Sequence, residues 1–481
     1  MDVYYKSNII VLLSLAFVLG STFPSLAKQT NKRPNIILIM SDDHGWADAG
    51  FNGSEVVQTP SLDNLAKKGL VFERFYSASA VCSPTRASVM TGRNPYRTDV
   101  PNANAGHLRA GEITIAELLK EQGYACGHFG KWHLGTLTKS LKDANRGGRE
   151  EFFDEYNIPA LHGYDTYFCT ESKVPTYNPM EYPKVFADGE SKKFGWRAVE
   201  DNSTTKPYNT RYWVGEDDAV KEELLQGDDS KIVIDRVLPF VADASKKDQA
   251  FFTTVWFHTP HLPVVCDSAH RAMYSDLDLK KQLYYGAISA MDEQIGRLWT
   301  YLEDLGLEEE TLIFYCSDNG PEVKTPGSAG EYRERKRSLH EGGLRVPAFV
   351  MWPGTLKGKQ KSSFPAVTSD YLPTILELLD LTYPDDRPLD GESLVNVMFN
   401  KKEVRDRPIG FIYNQQISWV DNHYKLISKD NRKSYELYDL QSDAQEESNI
   451  IETHKEIADK MEASLAAWYL SVNNSRKGLD Y

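Results

Sequence analysis

The string Cys82-Ser83-Pro84-Thr85-Arg86 sets a thiol, a proline and a guanidinium within about one helical turn. Proline suits the first turn of a helix, so the spacing predicts a helix capped by Ser83 or Cys82, continued through Met90 and stopped at Gly92. Cys82 and Arg86 would share one face of it. A helix amino end and a guanidinium both favour negative charge, which suits an activated nucleophile or a bound oxyanion. Taken alone, a cysteine near a helix is more often a small inert hydrophobe. Three further polar clusters carry groups that could work beside it: Ser41-Asp42-Asp43-His44-Gly45, His258-Thr259-Pro260-His261 and Ser317-Asp318-Asn319-Gly320.

Each cluster ends a short apolar run: Asn35 to Met40, Phe251 to Phe257, and Thr311 to Cys316. Continuous apolar runs fit parallel strands buried on both faces, which have no solvent side to show as alternation. Helical patterns lie between them. Thr114-Ile115-Ala116-Glu117 reads as a capping box before a helix closed at Gly123, Thr59-Pro60 opens another helix that Gly69 should stop, and a third runs from about Tyr284 to Leu305. Strands alternating with helices predict an open α/β sheet. Ligands of such sheets sit beyond the carboxyl ends of the strands, where acidic, amide and imidazole groups from distant parts of the chain can converge.

About residues 136–230 are rich in Pro, Gly, aromatics and charge and are expected to form long loops, with Tyr177, Tyr208, Tyr212 and Trp213 able to stack on a sugar or simply to pack. Near the C-terminus, Ile409-Tyr413, Ile417-Val420, Tyr424-Ser428 and Tyr435-Leu440 predict a small antiparallel meander followed by a helix from about His454 to Leu470. The expected organisation is a leader over residues 1–27, an α/β domain over 28–395 and a smaller sheet-plus-helix domain over 396–481. The leader reading rests on Lys6, the apolar run Ile9 to Leu19 and the small residues of Ser25-Leu26-Ala27, and it implies a secreted or periplasmic protein with no transmembrane segment after cleavage.

Composition narrows the partners. With 69 acidic against 55 basic residues and a formal charge of -14, the chain repels nucleic acid and anionic membrane, so an anionic substrate needs a local cationic pocket. Five scattered cysteines are too few for a disulfide framework, and no two are spaced as a zinc pair.

The string Cys82-Ser83-Pro84-Thr85-Arg86, continued by Thr91-Gly92-Arg93, resembles the signature of the formylglycine-dependent sulfatases of the alkaline-phosphatase-like superfamily. Other motifs of that family follow in order: Asp42-Asp43, Gly130-Lys131-Trp132-His133-Leu134-Gly135, His261-Leu262-Pro263, Asp318-Asn319-Gly320, Lys336 ahead of Glu341-Gly342-Gly343, and Tyr435-Glu436-Leu437-Tyr438-Asp439-Leu440. The resemblance implies a large mixed, mostly parallel sheet sandwiched by helices, with a smaller C-terminal α+β domain on a short antiparallel sheet. It implies that a formylglycine-generating enzyme oxidises Cys82 to 3-oxoalanine, and that Asp42, Asp43, Asp318 and Asn319, with position 82, hold a divalent cation. All are oxygen donors, best suited to Ca2+, with Mg2+ possible.

In the implied cycle, one hydroxyl of the hydrated aldehyde attacks sulfur, His261 with Lys336 nearby protonates the departing oxygen, and His133 takes the proton that lets sulfate leave. Lys131, Lys336 and Arg86 supply the positive charge. His258 and Ser172 are weaker candidates for contact with the sulfated saccharide, since His258 could equally be a structural histidine. Arg333, Arg335 and Arg337 read as a solvated face or as contacts to more distant anionic groups. The alternatives are a phosphate or phosphonate monoesterase of the same superfamily, and a catalytically silent sugar-binding relative. The first would bring a Ser or Thr nucleophile and extra His ligands; the second would have lost some of these residues.

Overall fold

The computed structural model describes residues 33–481 except 200, 222 and 223, so the leader reading lies outside the described residues. A ten-stranded sheet forms the body. Its strands, in chain order, are β1 (Asn35–Ser41), β2 (Leu70–Phe72), β3 (Ala125–Lys131), β4 (Thr166–Thr170), β5 (Trp213–Gly215), β6 (Asp218–Ala219), β7 (Phe251–Trp256), β8 (Thr311–Ser317), β9 (Ala348–Met351) and β10 (Gln360–Ser362). They lie side by side as β6-β5-β4-β3-β7-β1-β8-β9-β2-β10. The central strands β4, β3, β7, β1 and β8 are parallel, while β5, β6 and β9 run antiparallel to their neighbours toward the edges.

The β1 register explains its apolar run. Ile36, Leu38 and Met40 enter one core, Ile37 and Ile39 the other, and all are buried. Burying such a side chain fully is worth about 1.5–3 kcal/mol, so β1 is held from both faces. The helices that cover the sheet include α1 (Pro60–Lys67), α2 (Cys82–Thr91), α3 (Ile115–Glu121), α4 (Asp229–Lys246), α5 (Leu279–Asp304) and α6 (Tyr371–Leu378).

The capping box at Thr114 forms as expected: its side chain accepts from Glu117 N–H, and Glu117 accepts from the Thr114 backbone. Two helix starts differ. Helix α5 begins at Leu279 because Asp278 caps it by accepting from Lys281 N–H, a start masked in the sequence by the polar Leu279-Lys280-Lys281-Gln282. Helix α2 is capped by Val81, so Cys82 is its first residue rather than its cap. Helix α1 stops at Lys67, capped by Lys68 just before Gly69 as expected; a Cβ at Gly69 would lie 2.0 Å from the Val350 carbonyl oxygen, so glycine also permits the close approach to β9.

The stretch expected to be loops also supplies the interior strand β4, paired in parallel with β3. At the C-terminal end, β11 (Ile409–Tyr413), β12 (Gln416–Asp421), β13 (Tyr424–Ser428) and β14 (Glu436–Asp439) form the expected antiparallel meander. Helix α7 (Lys455–Arg476) runs past the expected end and packs Met461 and Leu465 against Ile417, Trp419 and Leu426. The other face of the meander, with Phe411, Tyr413 and Ile427, packs on Tyr76, Val81 and Leu339. Among the described residues no helix is long and apolar enough to cross a membrane.

Candidate active site

Strands β1 and β8 are in register from Asn35↔Thr311 to Ser41↔Ser317, so their carboxyl ends release Asp42-Asp43 and Asp318-Asn319 side by side. Asp43 turns with φ 66°, a left-handed conformation that Asp tolerates better than most residues, and its N–H donates to Asp318 Oδ1 at 3.1 Å. Strand β7 releases the His258-His261 turn from the same edge, and β3 releases Lys131. A Cβ at Gly130 would lie 2.0 Å from the Trp256 carbonyl oxygen, so this glycine lets β3 close on β7 just before Lys131.

The four oxygen-bearing residues converge in a fully buried cluster. Asp42 Oδ2 accepts from Lys131 Nζ at 2.6 Å, and Asp318 Oδ2 accepts from Arg86 at 2.6 Å. Asp43 Oδ1 accepts from Lys336 Nζ and, at 2.6 Å, from Asn319 Nδ2. The opposite atoms Asp42 Oδ1, Asp43 Oδ2 and Asn319 Oδ1 are buried with no hydrogen-bond partner among the described residues. Leaving a buried oxygen unpaired costs about 1–3 kcal/mol, more when it is charged. Several pooled in one place are the donor set of a hard divalent cation. One ligand atom from each of Asp42, Cys82 and Asp318 lies within 4.8 Å of the others, as do those of Asp42, Asp43 and His261. The residues therefore fit a divalent ion.

Electrostatics follow this packing. Burial works against ionisation of Asp43, but the charge of Lys336, with hydrogen bonds from Lys336 and Asn319, outweighs it and holds the carboxyl well below its usual range. Burial and then Asp42 push Asp318 up to about 6. Burial raises the Cys82 thiol, with Lys131 and Lys336 opposing, so as a thiol this side chain is a poor nucleophile. The buried helix start alone does not make the thiolate the sequence suggested.

Above the cluster opens a cavity of about 390 Å³ lined by Cys82, Lys131, His133, Ser172, His261 and Lys336, among others. His133 Nε2 donates to Asn104 Oδ1 at 2.9 Å, an oxygen that also accepts from Asn145, so the Nδ1 lone pair is free and has no partner. Burial and Lys131 depress its pKa well below the usual histidine value, leaving a neutral base. His261 Nδ1 donates to the Leu262 carbonyl at 2.6 Å, and Nε2 stands 3.7 Å from Asp43 Oδ2.

Two expected site residues lie behind the cavity. Arg86 is fully buried: it donates to Asp318 and to the Lys131 carbonyl and lies over Trp256 at 5.2 Å, so its charge is taken up in holding the cluster. His258 has both ring nitrogens engaged, Nδ1 with Asp229 at 2.8 Å and Nε2 with Thr170 at 2.7 Å, and does not reach the cavity wall. None of Tyr177, Tyr208, Tyr212 and Trp213 lines the cavity; Tyr212 stacks on Phe168, and Trp213 donates to Asp143. Of the basic run, Arg333 donates to Tyr438 and Glu446, Arg335 to the Thr325 carbonyl, and Arg337 reaches the cavity wall paired with Glu322 at 2.7 Å.

The sequence reading missed Asn104, Asn145, Lys173, Lys193, Lys324 and Tyr413 in the wall. Only Lys173 carried a local signal, as the neighbour of Ser172.

Residues 34–381 match the family described as Sulfatase, and residues 330–469 match N-sulphoglucosamine sulphohydrolase, C-terminal. The chain is 30% identical to N-acetylgalactosamine-6-sulfatase of Mus musculus over 408 residues, which cover 80% of this chain and 69% of that protein. It is 28% identical to a sulfatase of Formosa agariphila, covering 94% of this chain and 91% of that one. The crystal structure of Ps i-CgsB in complex with k-i-k-neocarrahexaose superposes with a TM-score of 0.77 at 26% identity, covering 92% of this chain and 93% of that one.

Proposed function

The chain belongs to the sulfatase family and is a sulfuric ester hydrolase, and from that premise we propose that it removes O-sulfate from a carbohydrate, with formylglycine made from Cys82 and a divalent ion, Ca2+ in the first place, held by Asp42, Asp43, Asp318 and Asn319. The reading includes export behind a cleaved leader over residues 1–27, a catalytic domain over 28–395 and a smaller domain over 396–481. Its carbohydrate substrate is supported by the relatives: one is named for N-acetylgalactosamine 6-sulfate, and another is a crystal structure with a neocarrahexaose bound.

The observation that carries the proposal is the pooling of unpartnered, buried oxygens from Asp42, Asp43 and Asn319 beside Cys82, at the foot of a cavity walled by Lys131, His133, His261 and Lys336. Bound there, the ion would polarise a sulfate oxygen, and an aldehyde hydrate at position 82 would offer two hydroxyls on one carbon: one to attack, one to release the product without a second water.

The chain's own residues do the rest. Lys131 and Lys336 neutralise Asp42 and Asp43 on their outer oxygens and present cationic faces to an entering sulfate monoanion. His133, with its free Nδ1 lone pair, is built to accept a proton. The His261 Nδ1 proton is committed to Leu262, so Nε2 must first gain a proton before His261 can give one to the departing alkoxide. Asp43 and the incoming anion favour that gain, against burial and the charges of Lys336, Lys131 and Lys173, which hold His261 well below the usual histidine value; Lys336, kept protonated by Asp43, stands beside it. Arg86 holds Asp318 in place from behind and is a positioning residue.

A panel of defined sulfated monosaccharides and oligosaccharides, assayed with the wild type and Cys82→Ala, tests this reading. Release of inorganic sulfate by the wild type alone is expected, and mass spectrometry of the peptide carrying position 82 should show the aldehyde in protein from a conversion-competent host. Full activity with an unmodified thiol would refute it.

A further inference from the structure

The cavity holds more positive charge than a single sulfate needs. Beyond Lys131 and Lys336, which are committed to Asp42 and Asp43, three lysines line it: Lys173, Lys193 and Lys324. Among the described residues none of the three has an acidic partner within ion-pair distance, whereas Arg337 on the same wall is paired with Glu322 and Lys336 with Asp43. In a chain with 14 more acidic than basic side chains, three lysines left unpaired around one concave surface are a local reversal of the overall field.

Lys173 is half-buried, follows Ser172 at the end of β4, and feels the positive charge of Lys131 and Lys336. Burial and those two lysines lower its pKa, and an anion between them would relieve both effects. Lys193 and Lys324 stand at the exposed mouth. There the cavity adjoins a shallow hollow that shares Leu262 and Lys324 with it and contains Phe194, over whose ring Lys193 and Lys280 both lie. The lysines thus run outward from the sulfate position toward the surface around that hollow.

Resting on the reaction proposed above, we infer that Lys173, Lys193 and Lys324 form a second anion-binding subsite, and that the preferred substrate is a saccharide bearing another negative charge beyond the sulfate being removed. That charge is a second sulfate or a uronate carboxylate; the chemistry the lysines recognise is shared. A polyanionic saccharide gains affinity from each, and a monoanionic aryl sulfate gains nothing from the outer two.

The test uses full-length Cys82→Ala protein, which cannot turn over, and measures calorimetric binding of inorganic sulfate, sucrose octasulfate and trigalacturonate. Sucrose octasulfate is expected to bind at least about tenfold tighter than inorganic sulfate. Adding Lys193→Ala and Lys324→Ala should remove most of that advantage while shifting inorganic sulfate less than about twofold, and Lys433→Ala, an exposed lysine elsewhere, should change neither. Lysine-dependent binding of trigalacturonate as well assigns the subsite to anions in general; binding of the octasulfate alone assigns it to sulfate. Octasulfate affinity that ignores the two substitutions, falls equally with Lys433→Ala, or falls in step with that for inorganic sulfate overturns the inference. Turnover is scored separately. Lysine-dependent binding in a protein that cleaves no sulfate ester would sink the reaction and keep the subsite, and cleavage with lysine-independent binding would do the reverse.

Discussion

Asp370 and Arg405 are as deeply buried as the carboxylates of the active site, and they are built the opposite way. Arg405 meets Asp370 through two parallel hydrogen bonds of 2.7 Å, and each Asp370 oxygen also accepts a backbone N–H, from Val367 and from Glu392, at 2.8 Å. Every lone pair that matters is used, and the pair ties the start of α6 to the segment leading into β11. In the active site, Asp42, Asp43 and Asn319 each give one atom to a protein partner and leave an oxygen with none. Burial alone therefore does not distinguish a structural ion pair from a site. What distinguishes them is whether the polar atoms are closed on one another or left open toward a common point.

That contrast predicts which substitutions damage chemistry and which damage the fold. The largest effect belongs to Cys82→Ala, expected to lower kcat by roughly 10⁴-fold or more, as losing a nucleophile does, with little change in melting temperature. Steady-state assays beside differential scanning calorimetry read both quantities, and a parallel collapse of the fold would erase the distinction. On the closed side, Arg405→Ala should cost about 3–5 kcal/mol of stability by leaving Asp370 charged, buried and unpaired. Measured on the folded fraction, its KM and kcat should stay within about twofold.

The open cluster should also respond to metal. A chelator should abolish activity and lower the melting temperature of the wild type, and Ca2+ at a hundredfold over its Kd should restore about 2.7 kcal/mol. Asp318→Asn should weaken this response. In metal-free protein it should destabilise less than Arg405→Ala, because burial and Asp42 push the Asp318 carboxyl up to about 6, which offsets part of what its pairing with buried Arg86 contributes. A metal-free Asp318→Asn protein that loses as much stability as Arg405→Ala would break the comparison.

The smallest effect lies at the surface. Hydrogen bonding to Asp267 raises His270 to about 9 against the opposing pull of burial. A folded pKa above the unfolded value of about 6.5 means the contribution is complete below pH 6.5 and disappears as pH rises through about 9. Denaturant titrations at pH 6 and pH 9.5 should therefore show a slightly larger loss for the wild type than for His270→Gln. The difference should be small because the group is partly exposed and screened.

Much of the site was legible before the fold. The runs ending at Met40, Phe257 and Cys316 announce buried parallel strands because both faces of each strand need apolar contacts, and the polar residues just after them fall at the carboxyl edge. The start of α5 was not legible, since its first turn is polar and its signal is a single capping aspartate. Strand β4 was hidden in a segment whose aromatic and charged residues mostly serve loops. His258 and His261 look alike in sequence, three residues apart on one turn. Asp229 and Thr170 engage the first, while the second keeps its Nε2 toward Asp43 and the cavity.

By itself, then, the sequence determined the local elements and the chemical types available, because periodicity, capping and residue identity act over a few neighbouring positions. The tertiary structure alone decided which oxygens stay unpartnered, that Arg86 and His258 stand behind the cavity, and that Lys173, Lys193 and Lys324 gather around it with no acidic partner among the described residues. Those outcomes depend on partners from tens to hundreds of residues away, and a hydrogen bond or ion pair exists only where folding brings both ends within about 3 Å.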